Sequence, residues 1–146
     1  MAPSARDIHR LIGVHPRLYA AIVNILHELP MFVVKGVRTA QEQARLYAQG
    51  RTTPGKIVTY RDGIRHKSNH QPHEDGFGYA VDLAFLGKTP FDDAHPWDIY
   101  GAKVETAGLI WGGRWSHLRD LPHAELPTTV SSPVSSQGAN GDSKSA

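Results

Sequence analysis

The sequence predicts an α+β fold. Helical patterns come first and strand patterns follow, without the regular alternation of βαβ units. The 146 residues suit one domain with one modest core, and no internal repeat divides them.

"SARDIHRLIG" opens a short helix, with Ser4 as N-cap and Gly13 as its end. "HPRLYAAIVNILHELP" is a stronger helix. Pro16 suits its first position, and Leu18, Ile22, Ile25, Leu26 and Leu29 share one face. "MFVVKGV", 31–37, is rich in β-formers and reads as a buried strand. "TAQEQARLYAQG" is a helix. Thr39 and Glu42 are spaced as a capping box, and Gly50 is the stop. Residues 51–67 read as a loop. "GYAVDLAF" alternates with period two, placing Ala80, Asp82 and Ala84 on one face and Tyr79, Val81, Leu83 and Phe85 on the other. "HPWDIYGAKVETAG" is a helix ending at Gly108. "DLPHAEL" reads as a short strand with Leu121, His123 and Glu125 on one face, and Pro122 marks it as an edge or irregular strand. The domain therefore spans 1–126. Residues 127–146, Ser-rich and poor in bulky apolar side chains, read as a disordered tail.

Composition narrows the chemistry. The hydrophobic content of 40% is ordinary for a globular chain, and no apolar run reaches the roughly 18 residues of a membrane span. "MAPSARDIHRLIGVHP" has no apolar h-region, which predicts synthesis in the cytoplasm without a signal peptide. The absence of cysteine removes disulfides, thiol nucleophiles and cysteine metal clusters. Any metal must be held by His, Asp or Glu, and nine histidines are a raised count. A net charge of +2 with no Lys/Arg block gives little reason to expect nucleic-acid binding.

"SNHQPHEDGFGYAVD" offers His70 or His73 together with Asp82, and "RDLPHAE" offers His123 with Asp120 three positions earlier. Two imidazoles and a carboxylate complete a three-ligand zinc site with an open position, and a free carboxylate beside it can carry a proton. Spacing alone favours the structural reading, a hydrogen-bonded Asp with scattered surface or core histidines. The same reading makes His15 a turn or capping residue and Trp111 and Trp115 packing aromatics. Glu125 reads evenly as a partner fixing a ligand histidine or as a solvated strand residue.

Residue order shifts that weighting. Ser68-x-His70, Gly78-x-Ala80-Val81-Asp82 and Asp120-x-x-His123 occur in this order together with "GVRTAQEQARLYAQGRTTPGKIVT", "WGGRWSHLRDLPHAEL" and "LIGVHPRL". The set resembles the zinc peptidases of the D-alanyl-D-alanine carboxypeptidase and L-alanyl-D-glutamate endopeptidase family, which includes many phage endolysins. It covers roughly residues 8–126.

The resemblance implies a small antiparallel sheet with N-terminal helices packed around a zinc cleft. It implies His70, Asp82 and His123 as zinc ligands, Asp120 as the catalytic carboxylate, Arg38 as a substrate contact and Ser68 as a supporting or substrate-binding hydroxyl. His70 is preferred over His73 because it keeps Ser-x-His intact. His70 and Asp82 are twelve positions apart, wider than the compact family motif, so the residues between them must loop out. Arg114 stands where relatives often have Asp, and Ala124 where an aromatic often follows the ligand histidine. The function implied is hydrolysis of peptidoglycan stem peptides by a monomeric phage endolysin that acts on the wall after release, without nucleic acid or stable membrane insertion. A carboxypeptidase on the same scaffold and a non-catalytic zinc-containing wall-binding module are the alternatives.

Overall fold

The computed structural model describes residues 2–128, so all but the first two residues of the expected tail lie outside it. Helix α1 (Ala5–Arg10) starts at Ser4, whose hydroxyl accepts from the Asp7 N–H, and Asp7 completes the capping box. Helix α2 (Pro16–Glu28) has proline in its first turn, and His15 caps it by accepting from the Arg17 N–H at 3.1 Å. Its buried face is Leu18, Ile22, Ile25 and Leu26, each worth roughly 1.5–3 kcal/mol on burial. Strand β1 (Met31–Lys35) leads to α3 (Ala40–Ala48), where the Thr39/Glu42 capping box forms as the sequence predicts. A long connection without helix precedes β2 (Ala80–Phe85). Helix α4 (Trp97–Thr106), β3 (Ile110–Trp111), a single 3-10 turn (Gly112–Arg114) and β4 (His123–Glu125) complete the order.

The four strands form one antiparallel sheet in the order β1-β2-β4-β3. Two expectations need correction. The short strand around His123 is not at an edge: β4 pairs with β2 on one side and β3 on the other. Pro122 lies just before the ladder, so its missing N–H costs no strand bond. Its carbonyl accepts from the Leu83 N–H (3.0 Å) and the Tyr100 hydroxyl (2.8 Å). The edge strand β3 is the second difference. Two residues are too short to show a period, and the sequence signals only packing aromatics there. Gly101 of α4 lies so close to the Trp111 ring that any Cβ would overlap it, which is how the helix seats on that strand.

The other edge, β1, is covered by α1. Asp7, only 4% exposed, accepts from the Val33 N–H at 2.8 Å, while Arg10 donates to the Val33 carbonyl at 2.8 Å. One residue of an exposed edge thus has both backbone groups paired by one helix, which blocks strand addition there. Asp7→Ala should cost about 2–3 kcal/mol, because it strands the buried Val33 N–H and removes the Asp7 half of the capping box. Denaturant melts would measure the loss.

Candidate metal centre and cleft

The strand register builds the site. Asp82 of β2 and His123 of β4 are direct cross-strand partners, so their side chains leave the same face side by side. His70 arrives from the long connection and is clamped on several sides. Its N–H donates to the Ser68 hydroxyl (3.1 Å), its carbonyl accepts from the Arg38 N–H (2.9 Å), and its Nδ1 lies 2.9 Å from the Gly36 carbonyl. A carbonyl only accepts, so Nδ1 carries the proton and Nε2 is a bare lone pair. That Nε2 is buried with no hydrogen-bond donor and faces the Asp82 carboxylate at 3.3 Å.

Two acceptors pointed at each other are repulsive unless a cation lies between them. Burial disfavours a proton on His70, although Asp82 opposes this. A metal ion therefore fits the pair better than a proton does. His123 supplies the third donor: Nδ1 is 3.1 Å from Asp82, while Nε2 donates to Glu125 at 2.8 Å. Glu125 also accepts from the Asn69 side chain at 2.8 Å. This holds the imidazole in the tautomer that turns Nδ1 toward the site. One ligand atom from each of His70, Asp82 and His123 lies within 4.8 Å of the others, the spacing of a group that could hold a metal ion. Both rings are fully buried while Asp82 is 15% exposed, so the group opens to solvent on the carboxylate side.

Burial alone would raise the Asp82 pKa, but His70 and His123 together hold it well below the usual carboxylate range. Burial alone would lower that of His123, yet Asp82 and Glu125 push it up to about 10. Asp120 lies 3.8 Å from His123 Nδ1 and is 18% exposed. Burial first, and then the charge of Asp82, push Asp120 up to about 7, against the pull of His123 and Arg38. A carboxyl group poised near neutrality can both take and return a proton.

Arg38 is buried on the same opening, with one terminal nitrogen 3.9 Å from Asp82 and the other donating to Gln43 at 2.7 Å. Burial lowers its pKa while Asp82, Asp120 and Glu42 oppose the shift, and a guanidinium remains charged at neutral pH. Gln43 was not singled out from the sequence. It is fully buried and donates to the Thr59 hydroxyl (3.2 Å) and the Arg61 carbonyl (2.9 Å), tying Arg38 to the long loop. No signal in the sequence marks it, because its neighbours on α3 are exposed or only half-buried.

The remaining candidates fall outside the cluster. His73 stacks on Tyr79 with ring centroids 3.7 Å apart. The widened segment loops out as expected, through the His73 N–H to Phe77 carbonyl bond and a turn at Gly76. Ser68 is buried and shapes the His70 turn. Trp115 leans on the His123 ring at 4.9 Å. Arg114 pairs with Glu105 at 3.0 Å on the surface. A cleft of about 360 Å³ shares Arg38 and Asp120 with the site, whereas a larger groove between α2 and α4 shares none of these residues.

A metal-competent His–Asp–His group beside a near-neutral carboxyl, on an antiparallel sheet, is the arrangement of a metallopeptidase. Comparison with known proteins agrees. The family model described as D-alanyl-D-alanine carboxypeptidase matches residues 62–126, which include His70, Asp82, Asp120 and His123. The peptidoglycan L-alanyl-D-glutamate endopeptidase CwlK of Bacillus subtilis is 32% identical over 139 residues, covering 85% of this chain and 76% of that protein. The crystal structure of the L-Ala D-Glu endopeptidase ChiX of Serratia marcescens matches with a TM-score of 0.52 and 26% identity, over 84% of this chain and 87% of that one. The chain belongs to this peptidase family.

Gln43→Leu should release the Arg38 guanidinium from its pose. The expected result is a fall in kcat/KM of about 10-fold or more, with a stability loss of about 1–3 kcal/mol from the unpaired groups. Gln43→Glu, which restores the acceptor for Arg38 but not the two donors, should recover part of the activity. Steady-state kinetics alongside thermal melts separate the two effects.

Proposed function

We propose that this peptidase is zinc-dependent and cleaves the L-alanyl-D-glutamate bond of peptidoglycan stem peptides, acting as a phage endolysin. The observation that carries the metal dependence is the bare, buried His70 Nε2 converging with Asp82 and His123. The names of the relatives support the bond cleaved, and the resemblance of the ordered motifs to phage endolysins supports the lytic role.

His70, Asp82 and His123 would hold the ion, and zinc there would supply Lewis-acid polarisation of the scissile carbonyl and make the attacking water more acidic. Asp120, 3.8 Å from His123 Nδ1, takes the proton of that water and passes it to the leaving amine. Arg38 draws the anionic stem peptide to the opening and offers a fixed positive charge to the developing oxyanion. Ser68 keeps the His70 turn in place. Glu125 and Asn69 keep Nδ1 of His123 facing inward.

The experiment is digestion of purified peptidoglycan with and without a chelator, with the new termini identified by mass spectrometry. New D-glutamate amino termini that vanish on chelation and return with zinc are expected. Release of free D-alanine would replace this reading with the carboxypeptidase one, and digestion indifferent to chelation would remove the metal.

Two variants divide metal holding from proton transfer. Asp120→Ala should stay metal-loaded and lose about 10²–10⁴-fold in rate. Asp82→Ala should lose both metal and activity, because one of three ligands is gone. Metal content by elemental analysis, read beside the rates, checks the pair. An Asp120→Ala protein near the parent rate would take the proton-transfer role from this residue.

A further inference from the structure

The 360 Å³ cleft beside the metal centre has a floor of Leu46, Ile57, Val58 and Leu118. Its charged wall is Arg38, Arg119 and Asp120, two guanidinium groups against one carboxyl. Arg119 is exposed and its Nε donates to the Gly113 carbonyl at 3.2 Å. That bond fixes the side chain while the two terminal nitrogens make no hydrogen bond among the described residues. Leu118 has φ +47°, the sole positive value outside glycine among the described residues. A branched side chain held in this strained region is uncommon away from functional sites. Here it sets Leu118 and Arg119 against the cleft immediately before Asp120.

The chemistry of the reaction says which part of the substrate enters. Asp120 returns its proton to the leaving amine, so the residue bearing that amine must lie beside Asp120, and the cleft that shares Asp120 takes that residue. We propose that this cleft is the leaving-group subsite, and that Arg119 selects there a residue with a free α-carboxylate. This rests on the endopeptidase reading. In an L-alanyl-D-glutamate stem that continues through the γ-carboxyl, the free α-carboxylate is on the same carbon as the leaving nitrogen. A guanidinium one residue from Asp120 can bind it in a bidentate pair, and the side-chain methylenes lie on the aliphatic floor. An amidated α-carboxyl carries no charge and loses this pairing. The enzyme therefore discriminates between amidated and unamidated walls.

The test uses synthetic L-Ala-γ-D-Glu peptides and their α-amides, made with both L-lysine and meso-diaminopimelate in third position. For the parent enzyme, kcat/KM should favour the carboxylate by about 10-fold or more. Arg119→Gln should raise KM for the carboxylate peptides by about 10-fold, leave kcat within a factor of about two, and leave the amides unchanged, so that the preference collapses. Arg119→Lys should retain part of it, and the melting temperature should not move, because Arg119 is exposed. A parent indifferent to amidation, or a preference that survives Arg119→Gln, overturns the inference while leaving the endopeptidase reading intact. A parent that cleaves neither peptide overturns that reading, and the inference with it.

Discussion

Asp82 and His123 face each other across the two interior strands, and this register is the constraint on which the rest depends. A slip of β4 by one residue against β2 would turn His123 to the opposite face and away from Asp82. The register is pinned at the entry to β4, where the Pro122 carbonyl takes the Leu83 N–H and the buried Tyr100 hydroxyl. Helix α4 thereby holds the strand that carries His123, and the Gly101–Trp111 contact seats the same helix on β3. The His70 imidazole depends on the other end of the sheet. The chain leaving β1 presents the Gly36 carbonyl and the Arg38 N–H, which fix His70 from side chain and backbone.

The electrostatics follow from this close assembly. Asp82, Asp120 and Glu125 gather around two histidines and Arg38 within a largely buried volume. Without a metal, a proton on His123 balances Asp82 and Glu125, and a divalent cation held at the same atoms would take the place of that proton. The polar shell around the group is paired in series: Asn69 to Glu125, Glu125 to His123, and Gln43 to Arg38. Such chains orient the inner groups and leave them little freedom to relax away from a ligand.

Much of this was legible in the sequence because it is written in local patterns. The Thr39/Glu42 capping box, Pro16 at the start of α2 and the apolar face of that helix depend on neighbours a few positions away, and all form as read except Leu29, which is the extended C-cap residue beyond the helix. The pairing of His70, Asp82 and His123 is not local. Composition and spacing left it open, and the order of the motifs brought it out. What remained hidden depends on contacts across the chain. The interior place of β4 rests on Pro122 falling one residue outside the ladder, which no propensity resolves. Gln43 reads as an ordinary surface glutamine until the loop carrying Thr59 and Arg61 folds over it. Glu125 reads evenly between two roles, and its burial 2.8 Å from His123 Nε2 decides for the one beside that ring.

The most direct test is a crystal structure of the zinc-loaded protein, with diffraction recorded on both sides of the zinc absorption edge. One anomalous peak is expected, bound by His70 Nε2, a carboxylate oxygen of Asp82 and His123 Nδ1 at about 2.0–2.2 Å, with His73 still stacked on Tyr79. A peak held through His73, or one outside the His70–Asp82–His123 group, would contradict the account.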